Sequence, residues 1–237
     1  MSIQIIQAVT VPEGDSVEVK RLMPVARQRN FDPFVLWDHF DITGGGFPNH
    51  PHRGFEAITY MFAGGMQHAD NLGNRGTVHG GGAQRFTAGK GIVHSEMPDG
   101  HAAGIQLWIN LPQRLKGIEP SYQQVDTIPQ HDEAGAHIRT IVGDSGVIAL
   151  NTPVEYLDVH LNAGSTWHKP ISEGFRGLVY VITGSVQVNG QPLPTHAAAL
   201  IEDEAELTIA CEQAARLMFC FGKPHGEPIY QHGSYVD

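Results

Sequence analysis

Long hydrophobic runs are missing from this 237-residue sequence, basic residues are scarce, and there are only two cysteines. No stretch approaches the ~18 consecutive apolar residues that a membrane-crossing helix needs, so nothing is expected to span a membrane. Lys and Arg total 15 against 25 Asp and Glu, a formal net charge of -10. The cations are scattered, and no basic patch could neutralise a phosphate backbone, so direct nucleic-acid binding is not expected. Cys211 and Cys220 are too few for a disulfide framework. They flank an expected hairpin of residues 207–211 and 216–220, in which they would lie beyond disulfide reach as buried free thiols. The start, Met1-Ser2-Ile3-Gln4-Ile5-Ile6, has neither a basic leader region nor a small-residue cleavage site, so a cytoplasmic protein is expected.

Helical periodicity is weak throughout. Glycine (28) and proline (15) punctuate short apolar runs rich in Val, Ile, Phe and Tyr, which reads as an all-β chain, a sandwich or barrel. Val17-Glu18-Val19-Lys20-Arg21-Leu22 and Gln106-Leu107-Trp108-Ile109-Asn110-Leu111 alternate like half-buried strands, and Phe34-Val35-Leu36-Trp37 reads as a buried one. Ile58-Thr59-Tyr60-Met61-Phe62 runs into Gly64-Gly65, a hairpin-turn signal. Residues 114–120 read as a loop with one helical turn. His131-Asp132-Glu133-Ala134-Gly135 is polar and glycine-ended, the best linker candidate, and divides the chain into 1–132 and 133–237.

The second half restates part of the first. Setting Gly54-Phe55 over Gly174-Phe175 places Tyr60 on Tyr180, Gly64 on Gly184 and Gln67 on Gln187 without gaps. A duplicated β domain is the natural reading.

The chemistry concentrates between Phe47 and Pro98. His50 and His52 stand two residues apart, as do His94 and Glu96. Side chains at i and i+2 of a strand share a face, so two such pairs on facing strands bring three imidazoles and a carboxylate together. That donor set suits one first-row divalent metal: Fe, Mn, Ni, Cu, Co or Zn. A lone His-x-His pair is usually a surface feature; two such pairs in one glycine-punctuated β segment are harder to dismiss. In the second copy His50 and His52 fall on Pro170 and Ser172, so the metal is expected in the N-terminal half alone. Glu56, an even number of residues beyond His52, would share the ligand face and rivals Glu96 as the carboxylate. Phe47 and Met66 are candidates for an apolar pocket mouth, whereas Phe86 and Trp108 read as core. Arg53 should face away from the ligands and make a salt bridge. The remaining histidines, His68 among them, have no partner at metal spacing and read as surface or hydrogen-bonded groups.

Several stretches together resemble the pirin family of two-cupin proteins. They include Phe31-Asp32-Pro33-Phe34, His50-Pro51-His52-Arg53-Gly54-Phe55-Glu56, Asp70-Asn71-Leu72-Gly73-Asn74, Thr87-Ala88-Gly89-Lys90-Gly91-Ile92-Val93-His94-Ser95-Glu96-Met97-Pro98 and Glu227-Pro228-Ile229-Tyr230-Gln231-His232-Gly233. The resemblance implies two stacked cupin β-barrels, the first holding one metal, usually iron as Fe(II), on His50, His52, His94 and Glu96. It favours Glu96 over Glu56, which becomes a neighbour of the ligands; a metal-bound Glu96 would lie within hydrogen-bond reach of the substrate hydroxyl and is expected to act as catalytic base. It implies quercetin 2,3-dioxygenase-like activity on a small phenolic enol and O2. It also implies an alternative: a non-enzymatic, iron-binding, redox-sensitive regulator with a protein partner. Two departures stand out. Gln84-Arg85-Phe86 carries Arg85 where relatives often have an aromatic, and Arg85 is expected to face solvent. The chain also ends sooner than relatives often do, so a tail able to return to the first barrel is expected to be short.

Overall fold

A computed structural model describes residues 2–237, and among them there is no α-helix. The first ten strands are β1 (Ser2–Gln7), β2 (Val9–Glu13), β3 (Val17–Met23), β4 (Phe34–Ile42), β5 (Phe47–His52), β6 (Phe55–Asp70), β7 (Arg75–His79), β8 (Ala83–Thr87), β9 (Ile92–Asn110) and β10 (Ser121–Val125). The next six are β11 (Gln130–Glu133), β12 (Ala136–Val142), β13 (Val154–Leu161), β14 (Thr166–Pro170), β15 (Arg176–Thr183) and β16 (Val186–Val188). The last six are β17 (Gln191–Leu193), β18 (Ala197–Glu202), β19 (Glu206–Ala210), β20 (Ala215–Gly222), β21 (Gln231–His232) and β22 (Tyr235–Val236). One 3-10 turn, Gln113–Leu115, is the helical turn expected in the 114–120 loop. No helix among the described residues is long and apolar enough to cross a membrane.

The chain forms two compact units, one of residues 9–127 and 225–237, the other of residues up to 8 and 128–224. In the first, a sheet runs β10-β8-β6-β9-β4-β3-β2; in the second, β1-β18-β15-β20-β13-β12-β11. The orders correspond strand for strand, which is the duplication signalled by Gly54-Phe55 and Gly174-Phe175. Tyr60 and Tyr180 occupy matching central strands, and both are fully buried. The second unit's core is aliphatic, with Trp167, Phe219 and Phe221 among Val, Leu and Ile. Burying such side chains contributes roughly 25 cal/mol per Å² of apolar surface removed from water.

The expected division at residue 132 is corrected. Residues 131–135 are no linker: β11 and β12 form a hairpin, Glu133 opposite Ala136, turning at Gly135 (φ 78°). All four residues of β11 are exposed, as suits the edge of a sheet, and that edge is what made the segment look like a linker. Strand β1 also changes units and completes the second unit's sheet on β18, whereas the C-terminal tail joins the first unit, as a returning tail would.

Two expected turns are corrected as well. Gly64-Gly65 does not end a strand, because β6 continues to Asp70 through register shifts against β9. Gly64 has φ 69°, and a Cβ there would lie 2.0 Å from the His101 carbonyl oxygen, so glycine permits a bulge rather than a reversal. Residues 207–211 and 216–220 do not pair: β19 joins β14 and β16, whereas β20 joins β13 and β15. The link through residues 211–214 crosses between sheets, and both cysteines are free and buried.

Candidate metal centre

Strand β5 lies antiparallel to the start of β9, with His50 directly opposite His94 and Phe47 opposite Glu96. His52 follows on the same face as His50. One ring nitrogen from each of His50, His52 and His94 lies within 4.8 Å of the others, and among the described residues no other such group of three occurs. The Nε2 atoms of His50 and His94 are 3.1 Å apart.

Each imidazole turns its Nδ1 away from this meeting point. His50 Nδ1 is 2.7 Å from the Pro48 carbonyl oxygen, and His52 Nδ1 is 3.2 Å from that of Ser234. His94 Nδ1 lies 3.5 Å from His68 Nδ1. A carbonyl oxygen only accepts, so His50 and His52 carry their protons on Nδ1 and present Nε2 lone pairs. Burial, helped by the neighbouring imidazoles, holds His52 down to about 3 and His94 to about 2, so both are neutral at physiological pH. Neutral, converging lone pairs on fixed rings are the state a divalent metal requires.

The rings are packed as well as bonded. His52 stacks on Phe86 (centroids 5.4 Å apart, planes 10° apart) and meets Trp108 edge-on at 4.9 Å. Phe55 stacks on Trp108 at 4.1 Å. The tail closes the far side. Val236 is fully buried, and its N–H donates to the Arg53 carbonyl at 3.0 Å. Arg53 does face away from the ligands: it grips Asp237 with two 2.9 Å hydrogen bonds and lies over the Tyr235 ring.

Glu96 is buried and lines the same cavity, but its carboxylate stands outside the group of three. Its Oε1 accepts from Thr59 Oγ1 (2.8 Å) and Gln84 Nε2 (2.6 Å), and its Oε2 from Gln106 Nε2 (3.3 Å). Glu56 is not on the ligand face. Gly54, with φ 86°, separates β5 from β6 and resets the alternation. Ala57 therefore shares the face of Phe86 and Trp108, whereas Glu56 pairs with Thr87, whose hydroxyl donates to it at 2.7 Å. Arg85 shares that opposite face. It is half-buried rather than solvent-facing, and bonds Thr87 Oγ1 and Ser121 Oγ at 2.8 and 2.7 Å. Register explains this, since Arg85 pairs with Ile58 and points away from the pocket.

A cavity of about 730 Å³ opens over His50, His52 and Glu96. Phe47 and Met66 line it, and so does Trp108, which the sequence suggested was core. Arg21 and Asp38 form a charged end, joined by bonds of 2.8 and 2.6 Å. Residues 229–234 of the tail supply another wall. The volume is within the ~300–1,000 Å³ usual for small-molecule sites.

His68 and Asp70 escaped the sequence reading. Both side chains are fully buried, 3.1 Å apart, directly behind His94. The signal was present, because His68 and Asp70 are an i/i+2 pair like the ligands themselves. In the second unit, the place of His50 opposite His94 is taken by Pro170 opposite Glu206.

A family profile described as Pirin matches residues 16–109, and one described as Pirin C-terminal cupin domain matches residues 156–237. A Pseudomonas aeruginosa protein provisionally named a quercetin 2,3-dioxygenase is 38% identical, the match covering 94% of this chain and 87% of that protein. Human pirin is 36% identical over 94% of this chain and 83% of its own. A crystal structure of quercetin 2,3-dioxygenase from Acinetobacter baumannii superposes with a TM-score of 0.90 at 30% identity, covering 98% of this chain and 90% of that one.

Proposed function

The chain belongs to the pirin family, and from that premise we propose that it is a metal-dependent dioxygenase that opens flavonol-type enols. His50, His52, His94 and Glu96 hold one divalent metal per chain, Fe(II) by preference. The observation that carries the reading is the convergence of three imidazoles, Nδ1 turned outward in each, beside a largely apolar cavity. A first-row divalent metal in such a set supplies Lewis acidity toward an enol oxygen and redox access to dioxygen.

The chain's own groups do the rest. Glu96 Oε1 is committed to Thr59 and Gln84. Oε2, which Gln106 contacts at 3.3 Å, is the oxygen that would bind the metal and accept the substrate's hydroxyl proton. Phe47, Met66 and Trp108 bind the aromatic rings and exclude water. The test is oxygen uptake and carbon monoxide release with quercetin, using protein loaded with iron, copper, nickel or manganese. Turnover above free metal is expected with at least one of them. Its absence with all four would overturn the enzymatic reading in favour of a metal-dependent regulator.

A further inference from the structure

Behind His94 lies a pair of polar side chains that neither binding nor catalysis at the cavity uses. His68 Nδ1 is 3.5 Å from His94 Nδ1, and His68 Nε2 is 3.1 Å from Asp70 Oδ2. Both side chains have no solvent exposure. Burying a carboxylate against an imidazole is costly unless its oxygens are satisfied. Here they are: Oδ1 accepts the N–H groups of Leu72 and Asn74, both at 3.0 Å, and Oδ2 accepts Asn74 Nδ2 at 2.9 Å. The His68 ring is clamped flat against Tyr122, centroids 4.2 Å apart and planes within 17°. The turn that holds Asp70 is itself pinned to the ligand strand, since Asn71 exchanges hydrogen bonds of 2.9 and 3.0 Å with Val93, the residue before His94.

We infer that His68 and Asp70 are positioning residues that fix the tautomer and donor strength of the ligand His94 through a one-way chain of hydrogen bonds. The direction follows from the atoms. His94 offers Nε2 to the cluster, so its proton sits on Nδ1. That N–H needs an acceptor, and the facing atom is His68 Nδ1, which must then carry a lone pair. The His68 proton is left on Nε2, where the Asp70 carboxylate, an obligatory acceptor, receives it. Every N–H points away from the metal, and the carboxylate's charge is felt at His94 through the intervening ring. A ligand imidazole backed this way is oriented and made more basic. His50 and His52 have backbone carbonyls behind them, so among the described residues His94 is the ligand imidazole with an anionic backing.

The inference rests on the metal reading but not on any activity, and zinc(II) affinity tests it by competition with a chromogenic chelator. Asp70→Asn keeps the turn but presents an amide N–H to His68, forcing its proton onto Nδ1 against the His94 N–H. His68→Leu removes the acceptor. His68→Asn restores an oxygen where Nδ1 stood. Asp70→Asn and His68→Leu are each expected to weaken zinc binding by roughly 10- to 100-fold, and His68→Asn, which keeps an acceptor for the His94 N–H but loses the link to Asp70, by clearly less than His68→Leu. A purely structural role would make Leu and Asn equivalent at position 68, and that result overturns the relay, as does unchanged affinity in Asp70→Asn. Nitrogen-15 spectra of the zinc-loaded wild type read the chain directly: His68 protonated on Nε2 upholds it, and protonation on Nδ1 overturns it. If the wild type takes up no zinc, the metal reading fails, and the same spectra of the metal-free protein still decide the direction.

Discussion

Acid should destabilise the metal-free protein through two buried histidines of the candidate metal centre, His52 and His94. Unfolded, both imidazoles titrate near 6.5; folded, burial and mutual proximity hold His52 at about 3 and His94 at about 2. Below about pH 6.5 the unfolded chain therefore binds more protons than the native one. Stability is lost as pH falls through 6.5, and the loss continues until the folded values are reached near pH 3 to 2. At pH 5 each histidine costs ~2 kcal/mol and the pair ~4 kcal/mol, a large share of the ~5–15 kcal/mol that holds a domain together. Their near-complete burial, 3% and 0% exposed, means that solvent screening takes little from these figures. Urea unfolding of chelator-treated wild type and His94→Gln between pH 7.5 and 5 measures the effect. The wild type should lose ~2 kcal/mol more than the variant over that range. Parallel curves would refute the reasoning, since they would mean that His94 is already protonated, or solvated, in the native state.

Three further outcomes follow from particular contacts. Glu96→Gln should arrive with less metal and turn over more slowly even with metal in excess, whereas Glu56→Gln, on the opposite face of β6, should keep its metal; elemental analysis of both variants decides this. Gly54→Ala should release the tail, because its Cβ would meet the Val236 carbonyl oxygen at 1.8 Å and φ is 86°; faster proteolysis C-terminal to residue 225 and a loss of at least ~2 kcal/mol in urea are expected. In the second unit, Asp158 is fully buried against Arg216, with bonds of 2.9 and 2.8 Å. Asp158→Ala removes this buried acceptor from Arg216 and should cost ~1–3 kcal/mol, seen as a lowered thermal midpoint.

What the sequence disclosed depended on whether a local rule survived the backbone. The i/i+2 rule worked for His50 and His52, because β5 pairs with β9 in unbroken register from His50 to His52, past the irregularity that follows Phe47, and the same register sets His94 opposite His50. It failed for Glu56 because one glycine in a left-handed conformation lies between that residue and His52. Gly64-Gly65 carries the same residue type as a hairpin turn, yet β9 runs alongside for the whole length of β6 and turns the flexibility into a bulge. Composition cannot separate these cases, because the partner strand decides and it lies some forty residues away. His68 was passed over for a different reason. It reads as a surface or hydrogen-bonded group, while its actual partner, Asp70, lies inside a turn motif that reads only as a family signature.

The two units show how little of the chemistry belongs to the fold itself. Their seven-stranded orders correspond throughout, and each encloses a cavity of similar size, about 730 and 700 Å³. They differ at the cross-strand position where the imidazoles meet. His50 opposite His94 places two imidazole nitrogens 3.1 Å apart, whereas Pro170 opposite Glu206 offers a ring without a donor and a single exposed carboxylate. Restoring histidines at those positions alone would still leave the second unit incomplete. A working ligand imidazole also needs an acceptor for its outer nitrogen and an apolar wall to keep it neutral. In the first unit these come from Pro48, Ser234, His68 and the stacked Phe86. Strand order supplies the place, and the residues that orient and desolvate the rings decide whether chemistry happens there.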